Sequence, residues 1–186
     1  MLRQTLYLFF TVIAAFVSFD FFTSDKLVYS NQKAVAYAKT YAGLNDNSCG
    51  KYLNDFNQTD CSHFIAHCLH SGGITIKSEI NDGKVYCPLG LAVRKTHLHK
   101  ELNKLAEKHK EVQLIPYEEA TWGDIGFFES SILPFSGYNH SFMFCNNPST
   151  QKVKIYAHSN NRNCEVVSEK ATKSLTSSTV IRITGQ

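Results

Sequence analysis

Cys61 heads the segment Thr59-Asp-Cys-Ser-His-Phe-Ile65, directly before a run of apolar residues at helical spacing. A cysteine in the first turn of a helix faces unpaired backbone N–H groups and the positive end of the helix dipole, and both favour the thiolate. The same N–H groups can hold an oxyanion that develops on a substrate carbonyl. A nucleophilic thiol also needs a base. Two later segments offer one: Gly137-Tyr-Asn-His-Ser-Phe-Met-Phe144 carries His140, and Lys152-Val-Lys-Ile-Tyr-Ala-His-Ser159 carries His158. Strand alternation puts His140, Phe142 and Phe144 on one face, and Lys154, Tyr156 and His158 on one face of the neighbour. Pairing across the Asn146–Thr150 turn then sets His140 roughly opposite His158, so that a base and its orienting partner lie side by side. Asn160, two residues beyond His158, competes for the orienting role.

These residues need a helix to present the thiol and paired strands to carry the histidines, and the apolar pattern supplies both. Ser30-Asn-Gln-Lys33 can cap a helix with Ala34, Tyr37, Ala38, Tyr41 and Ala42 at helical spacing, ending at Gly43. Residues 45–60 are polar and read as a loop. A second helix from Cys61 to about His70 carries Cys61, Phe64, Ile65, Cys68 and Leu69 on one stripe, and Gly72-Gly73 stops it. Residues 92–110 read as a third, more exposed helix with Leu98, Leu102 and Leu105 inward. The period then changes to two, giving strands at 112–116, 124–129, 140–145, 152–160 and 179–184. Asn146-Asn-Pro-Ser149 turns the third of these back on the fourth. Helices followed by consecutive strands describe an α+β domain with an antiparallel sheet.

With 186 residues, 43% of them apolar and 19% charged, the chain can bury the core of one domain and is not disordered by composition. Its net charge of +3 is spread without basic runs, so nucleic acid binding has no footprint. Arg3 followed by the apolar stretch Leu6–Phe19 matches an export signal better than a membrane span, which needs about 20 apolar residues. Bulky Phe16, Phe19 and Phe22 suit a cleavage site poorly, so an uncleaved anchor is the alternative. The expected organisation is a signal or anchor over 1–24 and one domain over 25–186. The protein is then periplasmic or secreted, or else membrane-anchored, with membrane contact only if the leader stays on. Export makes disulfides expected. Cys61 and Cys68 lie two turns apart on one helix, about 10 Å, too far to bridge. Cys49, Cys87, Cys145 and Cys164 remain, with three ways to pair.

The chain resembles the putative amidase domain family of the papain-like superfamily, related to CHAP amidohydrolases and NlpC-type cell-wall peptidases. The residues that carry the resemblance are AVAYAKTYA at 34–42, DCSHFIAHCLHSGG at 60–73, WGDIGFF at 122–128, NHSFMF at 139–144 and YAHS at 156–159. It implies a papain-like fold with N-terminal helices packed on an antiparallel sheet. It implies Cys61 as nucleophile, His140 as base and His158 as orienting residue, with no cofactor and no metal. It further implies hydrolysis of an amide or peptide bond through an acyl-enzyme, with the peptide of the bacterial cell wall (peptidoglycan) as the expected substrate; the protein itself is expected to be a monomer. The rival readings are an acyltransferase and a catalytically silent binding module on the same fold. The sequence departs from the family at positions 63 and 67, where histidines replace small or amide side chains.

Other residues receive structural readings. His63, His67 and His70 share a helix face opposite the Phe64/Ile65 stripe and read as an exposed or substrate-facing polar stripe rather than a metal site. His97, His99 and His109 read as solvated surface, and Trp122 as packing at a strand entry.

Overall fold

In the computed structural model, residues 26–43, 61–77, 95–130, 137–149, 151–158, 162–168 and 179–185 are described, with the side chains of 95–96, 129–130 and 137–139 excepted. The leader over 1–24, the loop over 45–60, Cys49, Cys87 and Asn160 lie outside the described residues. Among the described residues no helix is long and apolar enough to cross a membrane.

Helix α1 (Asn31–Tyr41) begins where Ser30 accepts a hydrogen bond from the Lys33 N–H at 3.3 Å. That side-chain cap satisfies one of the donors a helix start leaves open. Its Ala34, Val35 and Ala38 are buried, and the small residues let it lie close against α2 (Cys61–Gly72). The two are stitched at their ends, because Ser30 N donates to Gly72 O at 2.7 Å. Gly73, at φ 113°, ends α2, and Ile74 N donates back to Leu69 O at 2.9 Å. A side chain is strained at that φ, which is why a glycine stands there. Helix α3 (Lys95–Lys108) buries Leu98 and Leu102, with Leu105 partly covered.

Among the described residues six strands follow: β1 (Val112–Ile115), β2 (Ile125–Ser130), β3 (Gly137–Phe144), β4 (Lys154–Ala157), β5 (Arg162–Val166) and β6 (Thr179–Ile183). They form one antiparallel sheet in the order β1-β6-β2-β3-β4-β5. The last strand therefore returns to the middle, between β1 and β2. The expected α+β arrangement of three helices and an antiparallel sheet is what these elements make. Strand β5 was not legible in the sequence, since Arg-Asn-Cys-Glu-Val lacks apolar alternation and pairs only at the sheet edge.

Alternation divides the sheet into two buried faces. Ile125, Phe127, Met143, Tyr156, Ile181 and Ile183 meet the helices. Phe142, Phe144, Ile155, Ala157 and Val180 form a second cluster on the reverse face, closed by Tyr117 and Ala120 of a short 3-10 turn.

Candidate active site

Helix α2 is the centre of the helix-side core: every residue from Cys61 to Leu69 is buried. Cys61 is its first residue, with a side chain 0% exposed and a thiol not engaged in a disulfide. A nucleophile open to substrate would be partly exposed, and the structure covers this thiol instead. Cys68 is likewise buried and outside any disulfide, and burial raises its pKa well above the ordinary value, so it behaves as a core residue. The Cys61 Sγ lies 3.9 Å from Ser62 Oγ, and Ser62 Oγ accepts from Ser141 Oγ at 3.3 Å. This contact docks the head of α2 onto β3 one residue from His140.

The histidines fall differently from expectation. The β3–β4 ladder pairs Met143 with Tyr156 and Phe144 with Ile155. Continued outward, that register sets Ser141 level with His158 and puts His140 one residue out of step. His140 pairs with Phe128, stands edge-on to its ring at 6.5 Å, and shares the reverse face with Phe142. A bulge between Phe128 and Glu129 adds an unpaired residue on β3 immediately before His140. In a strand of period two, the position of that bulge decides which face His140 takes. His158 belongs to the helix face: it follows Tyr156 at the end of β4 and stacks on Phe64, one turn from Cys61, with ring centroids 4.3 Å apart. Its Nε2 donates to the Tyr41 carbonyl at 2.8 Å. The expected side-by-side placement of His140 and His158 is thus corrected, because Ser141 and not His140 faces α2.

The polar stripe of α2 is also corrected. His63 and His67 are 1% and 7% exposed, and their Nε2 atoms are 2.8 Å apart, so one ring donates and the other accepts. Tyr37 stacks on His67 with the rings nearly parallel. Spacing alone could not show this, because a helix packed on two sides has no solvent face. His70 bonds Thr75 at the helix end. On α3, His97 donates to Lys77 O and His99 packs edge-on to Phe127, so these residues are half-buried rather than solvated. Among the described residues no group of three or more His, Cys, Asp or Glu gathers to hold a metal ion. Of the four open cysteines, Cys145 and Cys164 pair, with Cα atoms 5.4 Å apart.

The Gly-Asp turn is a structural clamp. Asp124 is buried, accepts from the Thr121 N–H at 2.8 Å, and pairs with Arg182 of β6 at 2.8 Å. Burial raises its pKa, with Arg182 and the Thr121 N–H pulling the other way.

A family model described as the putative amidase domain matches residues 28–84. No curated protein matches the chain. The match covers α1, α2 and Cys61 and stops before the strands that carry the histidines. It supports an amidase-like family and, at that level, amide hydrolysis.

Proposed function

We propose that the protein hydrolyses an amide or peptide bond through Cys61, on a fold of papain-like type. The observation that carries this reading is a cysteine outside any disulfide at the first position of a central helix, inside the span matched to the amidase family. The Cys61 sulfur attacks the carbonyl carbon, and the backbone N–H groups of the α2 start stabilise the oxyanion. The C–N bond then breaks, the leaving amine takes a proton from an imidazolium, and water hydrolyses the thioester to acid and free thiol. The segments that resemble cell-wall amidases make the peptide of peptidoglycan the preferred substrate, at an exported location. The acyl-enzyme is common to hydrolase and acyltransferase, and only the acceptor differs.

The resemblance gives the base role to His140, with His158 orienting it, and that reading requires the His140 ring to leave the reverse face that it occupies beside Phe128. A second reading has its own observation. His158 lies on the Cys61 side of the sheet, and the Tyr41 carbonyl can only accept, so the hydrogen sits on Nε2 and Nδ1 becomes the basic nitrogen. Both readings need Cys61. Incubation of the full chain with cell-wall sacculi, with mass spectrometry of released fragments and of iodoacetamide-treated protein, is the test. Release of peptide fragments that stops once Cys61 is alkylated supports the proposal. Undiminished release after complete alkylation of Cys61 overturns it, and release only as adducts of added amine reassigns the protein as a transferase.

A further inference from the structure

Trp122 is the sole tryptophan of the chain and is 42% exposed, not packed into a strand entry. The turn that carries it is firmly held. Gly123 N donates to Phe144 O at 2.8 Å, Asp124 N to Thr121 O at 3.1 Å, and Asn31 Nδ2 to the Trp122 carbonyl at 3.2 Å. Gly123 takes φ 87° and lies so close to the Asn31 side chain that no Cβ would fit. The indole is therefore presented on a rigid support at the wall of an open groove of about 620 Å³. Gln32 and Lys39 of α1, Tyr156 of β4 and Asn163 of β5 also line it, over an apolar floor of Val35 and Ala36, and the Cys145–Cys164 bridge, whose Cys164 lines the groove too, ties its β5 side back to the end of β3.

This lining has the chemistry of a sugar site. A flat indole can cover the C–H face of a pyranose ring, side-chain amides both donate to and accept from hydroxyls, and an ammonium selects an acidic substituent. An extended peptide would instead add a strand beside β5, the end strand of the sheet among the described residues. That edge is interrupted: Ile155 pairs with Glu165 and Tyr156 with Asn163, leaving Cys164 as an unpaired bulge residue at φ 57°. We propose that this groove binds an acidic oligosaccharide, with a pyranose ring stacked on Trp122 and its carboxylate at Lys39.

Cys61 takes no part in the groove, so the test separates this proposal from the amidase reading. The full chain carrying Cys61→Ala is titrated with a peptide-free tetrasaccharide of alternating N-acetylglucosamine and N-acetylmuramic acid, and in parallel with neutral chitotetraose. Emission of the single tryptophan reports the groove, and calorimetry reports affinity. The acidic sugar is expected to shift the emission and to bind more tightly than the neutral one. Trp122→Ala should weaken it about tenfold or more, Trp122→Phe should retain most of it, and Lys39→Gln should erase the acidic preference. The proposal is overturned by an unchanged emission at about millimolar sugar, by equal binding of the neutral sugar, or by a folded Trp122→Ala variant that binds as before. A response to an extended acidic peptide and not to sugar overturns it as well.

Discussion

The two faces of the sheet bury different kinds of polar group. On the reverse face the buried ionisable group is Asp124, and it is met by opposite charge and by a backbone N–H. On the helix face the buried polar side chains are Ser62, His63, His67, Ser141 and His158, all able to hold or pass a proton without carrying a fixed charge, together with the Cys61 thiol. A paired charge in a protein interior fixes a geometry, and removing one partner leaves an uncompensated ion. Imidazole and hydroxyl groups can donate and accept hydrogen bonds without a fixed charge, and an imidazole can relay a proton, which is what chemistry at a buried site needs. The reverse face holds the frame, and the helix face holds the candidate reaction.

The largest expected effect tests that division at its centre. Cys61→Ala should reduce amide hydrolysis by about 10⁴-fold or more, as for other nucleophile deletions. Because the thiol is fully buried, the same change should also cost about 1 kcal/mol of stability, read as a modest drop in thermal midpoint. Retained turnover in a folded variant would refute the nucleophile.

The two histidines sit on opposite faces and sharpen the comparison directly. If the helix face alone holds the reaction, His158→Ala should lower kcat by about 10³-fold, and His140→Ala should leave most of it. The reverse ranking, measured on the same substrate, would mean that His140 is the base and that the bulge before it shifts to turn the ring toward α2. His158→Asn should recover part of the loss only if His158 orients rather than transfers the proton, since an amide can still accept from an imidazole N–H.

On the reverse face, Arg182→Leu should destabilise the fold by about 3–5 kcal/mol by leaving Asp124 buried without its partner, seen in denaturant unfolding. A pH series adds the sign. Burial raises the Asp124 pKa in the folded chain, so the native state holds this proton more tightly than the unfolded state. Its contribution to stability is therefore full below the ordinary carboxylate value of about 4, and is lost as pH rises through the raised value. Arg182→Leu should widen that window upward, whereas Asp124→Asn should remove it.

The smallest effect lies outside both faces. Ser30→Ala removes the α1 cap and should cost about 1 kcal/mol with no change in kcat, measured by thermal unfolding and turnover together.

The pattern of residues in the chain determined the elements that local physics dictates. Ser30 caps a helix because its hydroxyl reaches the Lys33 N–H, Gly73 stops one because only glycine takes its φ freely, and period two after residue 112 gives strands. The apolar stripe of α2 likewise placed Cys61 at a helix start. What the sequence could not contain was decided by which surfaces meet. His63 and His67 look like a solvent stripe on an isolated helix, and become buried where α2 is packed on the side away from the sheet as well, with Tyr37 of α1 stacked on His67. The faces of His140 and His158 depend on a hairpin register and a bulge, each a one-residue choice that leaves the local pattern unchanged and reverses the side chains. The Cys145–Cys164 pairing and the Asp124–Arg182 clamp join residues 19 and 58 positions apart, respectively. Trp122 is 42% exposed on a turn that Asn31 and the Gly123–Phe144 hydrogen bond tie to α1 and to the end of β3. Such long-range meetings follow from packing and chain closure, and tertiary structure alone decides them.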